Sequence, residues 1–426
     1  MKAAHLLKAN IMNRTDAIII GAGQAGLAMS RALRLRGIEH VVLERGRIGE
    51  RWRSERWDSL HLLTTSSYSA LPGLDHLDVD PENFMAAAAF AKYLDRYAGA
   101  FAVPVISGAD VVAVEASQGG YQVATSTRTW RARSVIIATG ACDVPHRPEQ
   151  AANLPAAITQ VSPAEYRSAA GLPDGGVLVV GASSSGVQIA EEVLASGRPV
   201  TLAVGDHTRM PRRYRGRDIY AWMDVAGILD DPADESGNLE AVRRQPSLQL
   251  VGRPDHGNLD LAVLAARGVR LAGRLTSING SLVGFQPDLA RTTMKSHVRM
   301  SKTLYRIDRF IESHGLAAPR SDSDQPQPFI PCQDATALDL RRENIRTVIW
   351  ATGYRRSYRW LHIPVLDGNG EIMHRGGVTS APGLFVIGLN VLRRRRSALI
   401  DGCGLDAAEI ADLVKSHLDR VVGRAA

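Results

Sequence analysis

Two glycine-rich segments hold the residues best suited to chemistry. Gly21, Gly23 and Gly26 in GAGQAG occupy GxGxxG positions, after the apolar run Asp16 to Ile20 and before apolar residues at helical spacing. The first glycine permits a tight turn and the second lets a pyrophosphate approach the backbone. The third lets helix pack on strand, and the helix N-terminus attracts the phosphates. Glu44 closes the next apolar run, IEHVVLE, where a carboxylate accepts hydrogen bonds from ribose hydroxyls. A carboxylate there suits FAD or NAD rather than a 2′-phosphate. Gly181, 160 residues further on, opens a second copy, GASSSG. Gly186 keeps its place but Ser183 stands at the middle position, so the copy reads either as a second nucleotide site or as a vestigial repeat. Arg209, Arg212 and Arg213 follow its second strand, PVTLAVG, and are candidates to hold a 2′-phosphate; Asp206 counts the other way.

These positions require strand, turn and helix in that order, twice. The expected fold is α/β with two Rossmann-like dinucleotide-binding domains. Asp110 to Ile137 alternates apolar and polar residues around SQGG, as a β-meander does, and ends in VIIATG. A second ATG closes the strand TVIWATGY; each reads as a small-residue turn or as a segment beside a cofactor, with Gly140 in the first. Helices are expected at Phe84 to Tyr97, at Arg299 to Ser313 and from near Asp406, and SDSDQPQP reads as a linker. The spans are 12–165 for an FAD domain, 171–330 for an inserted NADPH-type domain, and 331–426 for the FAD domain's return and C-terminal helix.

At 426 residues, with 45% hydrophobic and 22% charged residues, the chain has the make-up of a multidomain globular protein. Basic residues exceed acidic ones by 51 to 44, and only six are Lys, so the surplus rests on Arg. It is spread too thinly to argue for nucleic acid; the runs Arg209 to Arg217 and Arg393 to Arg396 read as phosphate-facing or simply solvated. Cys142, Cys332 and Cys403 lie far apart with no CxxC, which disfavours a disulfide framework, a metal site and a dithiol centre. That pattern, with no signal-like or membrane-spanning apolar run, suggests the cytoplasm. No triad or metal-ligand spacing offers a catalyst. His61, His207 and His362 read as surface or packing residues, as expected if a cofactor carries the hard chemistry.

In order, GAGQAGL, ERWRSERWDSLHLLTTSSYSALPG, the second glycine motif and IWATGY resemble the flavin-containing monooxygenases of the two-dinucleotide-binding-domain superfamily. PRRYRGRDI and DGCGLDAAEIA are similar to segments of their bacterial flavoprotein members, and the resemblance runs from about Asp16 to Leu418. It implies FAD and NADPH, a small organic substrate and O2; the lack of a long apolar run gives no reason to expect a membrane partner. NADPH would reduce the flavin, oxygen would add at C4a, and the hydroperoxide would pass one oxygen atom on. The resemblance also places Arg51, Trp52, Trp57 and Leu60 beside the flavin and Thr64, Thr65 and Ser66 near the reacting ring. Asp401, Gly402 and Gly404 would precede a helix whose N-terminus faces the isoalloxazine. The chain departs from the pattern at Ser183 and at Ser162, where the family's linker carries His. Two further readings stay open: an FAD oxidase or dehydrogenase with a degenerate NADPH site, and a non-catalytic flavin-binding redox sensor.

Overall fold

The computed structural model describes residues 13–75, 79–233, 243, 245–318, 320, 326–331 and 335–423. It contains the expected duplication. β1 (Asn13–Ile20), α1 (Gln24–Leu35) and β2 (His40–Glu44) form the first βαβ half-unit. Ala17 to Ile20 are buried on both faces, as the apolar run requires in a sheet covered on both sides. α1 buries its apolar side against that sheet and ends before Gly37, whose φ of +69° a residue with a Cβ rarely adopts. The helix expected from Phe84 is α2 (Ala87–Ala100), held off by Ala86 in an extended conformation.

The first sheet continues through β3 (Val105–Ser107) and the meander β4 (Val111–Ser117), β5 (Gly120–Thr125) and β6 (Thr129–Ile137). Its order is β3-β2-β1-β6-β5-β4. A strand from far along the chain lies parallel beside β6.

The second sheet uses β7 (Thr159–Val161), β8 (Gly176–Val180), β9 (Val200–Ala203), β10 (Arg270–Ala272) and β11 (Ile345–Trp350). All pairings are parallel, in the order β10-β9-β8-β11-β7. The strand beside β6 is β12 (Leu384–Val386). These memberships correct the spans read from sequence. β7 precedes residue 171 and β11 follows residue 330, yet both complete the second sheet. An edge strand and a central strand cannot be told apart by local pattern, so the crossings move to 138–158 and 351–383.

α3 (Ser184–Ala195) follows the second glycine loop. An insertion then adds α4 (Ile219–Val225) and α5 (Leu289–Ser313), which pack together through Met210, Trp222, Met223, Met300, Leu304 and Ile307. α5 starts ten residues before the expected Arg299. The chain closes with α6 (Gly402–Gly423), four residues earlier than expected. Residues 321–325 of the expected linker and Cys332 lie outside the described residues. Among the described residues no helix is long and apolar enough to cross a membrane, and no cluster of His, Cys, Asp and Glu could hold a metal.

Candidate active site

The first glycine loop is built for close approach. Gly21 has φ +109°, and a Cβ on it would lie 2.7 Å from the Ala138 carbonyl oxygen. A Cβ on Gly26 would be driven into the Gly21 carbonyl. Around Gly23, by contrast, nothing lies within 4 Å of where a Cβ would stand, and its φ of −80° and ψ of −174° suit any residue. That open space before the α1 N-terminus is the cradle a pyrophosphate needs. Glu44, 8% exposed, accepts hydrogen bonds from the Ala22 N–H at 2.7 Å and the Gly46 N–H at 2.9 Å. It therefore fixes the loop against the end of β2, where a ribose would sit. Cradle and carboxylate together fit the ADP half of FAD.

The second loop repeats this construction. A Cβ on Gly181 would meet the Ala351 carbonyl, and one on Gly186 the Gly181 carbonyl. The two ATG segments thus serve the same purpose, with Ala138 and Ala351 each backing the first glycine of its loop. Gly140 and Gly353 follow with φ of +77° and +87°, turning the chain away. Ser183 has φ −79° and ψ −173°, the backbone of Gly23, and its hydroxyl makes no cap bond to α3.

The loop after Gly49 meets both units. Arg51 pairs with Asp143 at 2.5 Å, and Trp52 donates to Gln24 Oε1 at 3.1 Å, next to the first glycine loop. Trp57 and Leu60 are buried in the apolar cluster that contains Val177, Val187 and Ile189 of the second unit. They join the domains. Thr64, Thr65 and Ser66 are buried, with hydroxyls bonded to Ser69, Ser67 and the Asn83 carbonyl at 2.9, 2.8 and 3.0 Å.

This loop and the α6 N-terminus come together. A Cβ on Gly404 would strike Pro72, and one on Gly402 the Arg396 carbonyl, so both glycines permit close packing. Tyr68 donates to Asp224 at 3.1 Å; Arg396 binds the same Asp224, Asp230 at 2.8 Å and Asp401 at 2.9 Å. Burial, opposed by Arg396, raises the Asp401 carboxyl. Sequence alone gave no sign of this network. It also corrects the reading of Arg393 to Arg396: Arg394 binds Glu409 within the return segment and Arg396 binds Asp401 there and Asp224 and Asp230 of the insertion, so both are spent on ion pairs.

The three arginines proposed for a 2′-phosphate are engaged elsewhere. Arg212 is fully buried, paired with Asp218 at 2.7 Å, donating to the Leu63 carbonyl at 2.7 Å and flanked by Phe84 and Tyr220. Arg209 is tied to Asp260 at 2.6 Å and to the Gln327 carbonyl. Arg213 sits on a short hairpin, donating to Gly216. Of the histidines, His362 is exposed and His61 half-buried, while His207 is buried and its pKa is lowered by that burial.

Asp406, on α6, supplies a pH test. Burial, against the pull of Ser397 and nearby arginines, pushes its carboxyl from 3.8 up to about 6. A raised carboxyl stabilises the fold below the unfolded value and loses that contribution as pH rises through about 6. Asp406→Asn should therefore gain thermal stability over the parent at pH 7.5 but not at pH 4.5. An equal shift at both pH values in thermal melts rules this account out.

Two glycine loops, each following the first strand of a parallel βαβ half-unit, and Glu44 at the end of the next strand in the first of them, define a protein with two dinucleotide-binding domains. Residues 18–222 match the family described as pyridine nucleotide-disulphide oxidoreductase. An uncharacterized CzcO-like oxidoreductase of Geobacillus kaustophilus is 31% identical over 407 residues, covering 94% of this chain and 99% of that protein. The chain belongs to the CzcO-like family of flavin-dependent oxidoreductases, a family whose fold takes FAD and NADPH. The indole-3-pyruvate monooxygenase YUCCA4 of Oryza sativa is 30% identical over 225 residues, 48% of this chain and 51% of that protein. The flavin-containing monooxygenase of Stenotrophomonas maltophilia shares the fold, with TM-score 0.67, 20% identity and coverage of 95% and 99%.

Proposed function

We propose that this protein is an FAD-dependent monooxygenase that uses NADPH and O2 to transfer one oxygen atom to a small organic substrate. The observation that carries this reading is the duplicated loop: Gly23 and Ser183 have the same backbone angles within a degree, each before a helix N-terminus. One unit of this kind holds a flavin dinucleotide; a second provides a place for a nicotinamide dinucleotide. The monooxygenase relatives and the lack of any CxxC favour oxygen chemistry over dithiol exchange.

Bound FAD supplies the redox and oxygen chemistry; the protein supplies binding, orientation and exclusion of water. Gly21, Gly23 and Gly26 admit the pyrophosphate and Glu44 holds the ribose. Arg51 and Trp52 brace the loop from Gly49, and Trp57 and Leu60 seal it against the second unit. The Thr64–Ser66 turn is held by its own hydroxyl bonds and by Tyr68 on Asp224, and it meets the α6 N-terminus through Pro72 and Gly404. Gly181, Ser183 and Gly186 receive the nicotinamide dinucleotide. The three dispersed cysteines fit a reducing, cytoplasmic setting.

Anaerobic mixing with NADPH tests the reading. Rapid bleaching of the flavin band, followed on aeration by oxygen consumption coupled to an oxygenated product, is the expected result. Bleaching only by an organic substrate would make the protein an oxidase or dehydrogenase, and bleaching by neither a redox sensor. Ser183 bears on the rate. Its Cβ enters the space left open at Gly23, displacing a pyrophosphate, while its uncommitted hydroxyl offers a hydrogen bond in return. A displacement of ~1 Å can cost on the order of 100-fold in a step that depends on alignment. Ser183→Gly should thus speed anaerobic flavin reduction more than it tightens NADPH binding; a slower reduction contradicts this.

A further inference from the structure

We propose that Arg274 forms the 2′-phosphate subsite of the second domain and so selects NADPH over NADH. The inference rests on the reading of that domain as the nicotinamide site. It starts from the register of the two copies. In the first, the Gly21 N–H bonds to the Leu43 carbonyl at 2.8 Å, and the next residue is the ribose acid Glu44. In the second, the Gly181 N–H bonds to the Ala203 carbonyl at 2.9 Å, so Val204 stands at the position of Glu44 and Gly205 at that of Arg45. Val204 is apolar and fully buried. The second loop therefore has no carboxylate there to hold a 2′-hydroxyl or repel a phosphate.

The space beside Gly205 is bordered by a side chain that follows the neighbouring strand. A Cβ on Gly205 would have Arg274 Nη1 at 3.5 Å, Cζ at 3.7 Å and Nη2 at 3.8 Å. The guanidinium thus stands just past the end of β9, where a Rossmann domain places the cation for a 2′-phosphate. Topology makes this possible. β10 runs parallel to β9, with Ala203 opposite Ala272, so both strands end at the edge that carries the glycine loop. Two residues past β10, the Arg274 backbone is fixed from both sides: its N–H donates to Asp288 Oδ1 at 3.1 Å, and its carbonyl accepts from the Gln286 N–H at 2.8 Å. Gly273 allows this, since a Cβ there would collide with the Gln286 carbonyl.

The side chain on this fixed backbone is exposed and forms no ion pair among the described residues. Asp206, next in sequence to Gly205, is already bonded to Lys295 at 3.1 Å. Although burial opposes it, the Lys295 bond and the charges of Lys295, Arg299 and Arg274 keep the Asp206 carboxyl below its ordinary value. Three cations face one carboxylate at this corner. A planar guanidinium with both Nη groups free of carboxylates can grip a phosphate with two parallel hydrogen bonds, as Lys cannot.

Calorimetric titration of the FAD-loaded protein with 2′,5′-ADP and with 5′-AMP tests the assignment without turnover. The parent should bind 2′,5′-ADP about 10- to 150-fold more tightly than 5′-AMP, the range for a hydrogen bond to a charged group. Arg274→Ala should lose that preference, keep its 5′-AMP affinity and melt at the parent temperature, and Arg274→Lys should recover only part. Arg213→Ala should keep the parent's ratio. An Arg274→Ala protein that still prefers 2′,5′-ADP overturns the proposal. So does a parent that binds both ligands equally, although the monooxygenase reading then survives with NADH as donor. If neither ligand binds and NADPH leaves the flavin oxidised, the nicotinamide reading of the second domain falls as well.

Discussion

Gly23→Val is expected to fold normally and to purify colourless. The substituted residue can adopt φ −80° and ψ −174°, and its Cβ meets no protein atom within 4 Å. The fold thus loses only the small N-cap preference of glycine. The same Cβ occupies the pyrophosphate's cradle. Losing two backbone bonds to a charged phosphate, roughly 1.5–3 kcal/mol each, weakens FAD by on the order of 10²- to 10⁴-fold. Flavin released from the purified protein, with a thermal melt beside it, gives the measurement. Gly26→Val is the contrasting variant. Its Cβ is driven into the Gly21 carbonyl, so it should fail to fold rather than fail to bind. A yellow Gly23→Val protein with one FAD per chain would remove the first loop as the flavin site.

Arg212→Met should be the most destabilising single substitution of a charged side chain here. Arg212 is fully buried between Phe84 and Tyr220, and Asp218, its partner, also caps α4 by accepting the Tyr220 N–H at 2.8 Å. Methionine fills much of the volume but leaves Asp218 buried without its counter-charge. Breaking a buried pair in this way costs about 3–5 kcal/mol. The Leu63 carbonyl loses its donor too, so the insertion loosens from the turn that leads to Thr64–Ser66. A lower urea midpoint, with protease cleavage exposed near α4, is expected. If Arg212 instead held a phosphate, the variant would keep its stability and lose NADPH affinity.

The parts legible in the sequence were those written in short-range patterns. Gly21, Gly23, Gly26 and Glu44 lie within 24 residues, and each acts through its own backbone or the strand it ends. Their spacing therefore carries the chemistry. The second βαβ unit was legible for the same reason, Ser183 included. Helix starts were less so. α5 begins at Leu289, although the apolar pattern suggested Arg299, because its first turns are held by distant partners that no local window shows: Leu289 joins the second unit's apolar cluster and Ser296 accepts the Arg209 N–H at 2.7 Å.

What the sequence by itself determined is a duplicated dinucleotide fold, a first glycine loop with a carboxylate, Glu44, ending the next strand, and the absence of a CxxC or metal-ligand spacing. Only the tertiary structure decided which charges meet. Proximity in sequence placed Arg209, Arg212 and Arg213 after the second strand, but folding gives them to Asp260, Asp218 and a hairpin carbonyl. Arg274 is 69 residues from Gly205 in the chain and reaches its side because β10 pairs with β9. Likewise Ala138 and Ala351 come under their glycines only through strand order. A glycine turn is set by backbone angles that neighbouring residues impose. An ion pair or a phosphate subsite is set by which strands lie side by side, and that order minimises exposed apolar surface over the whole sheet, which no short window of sequence contains.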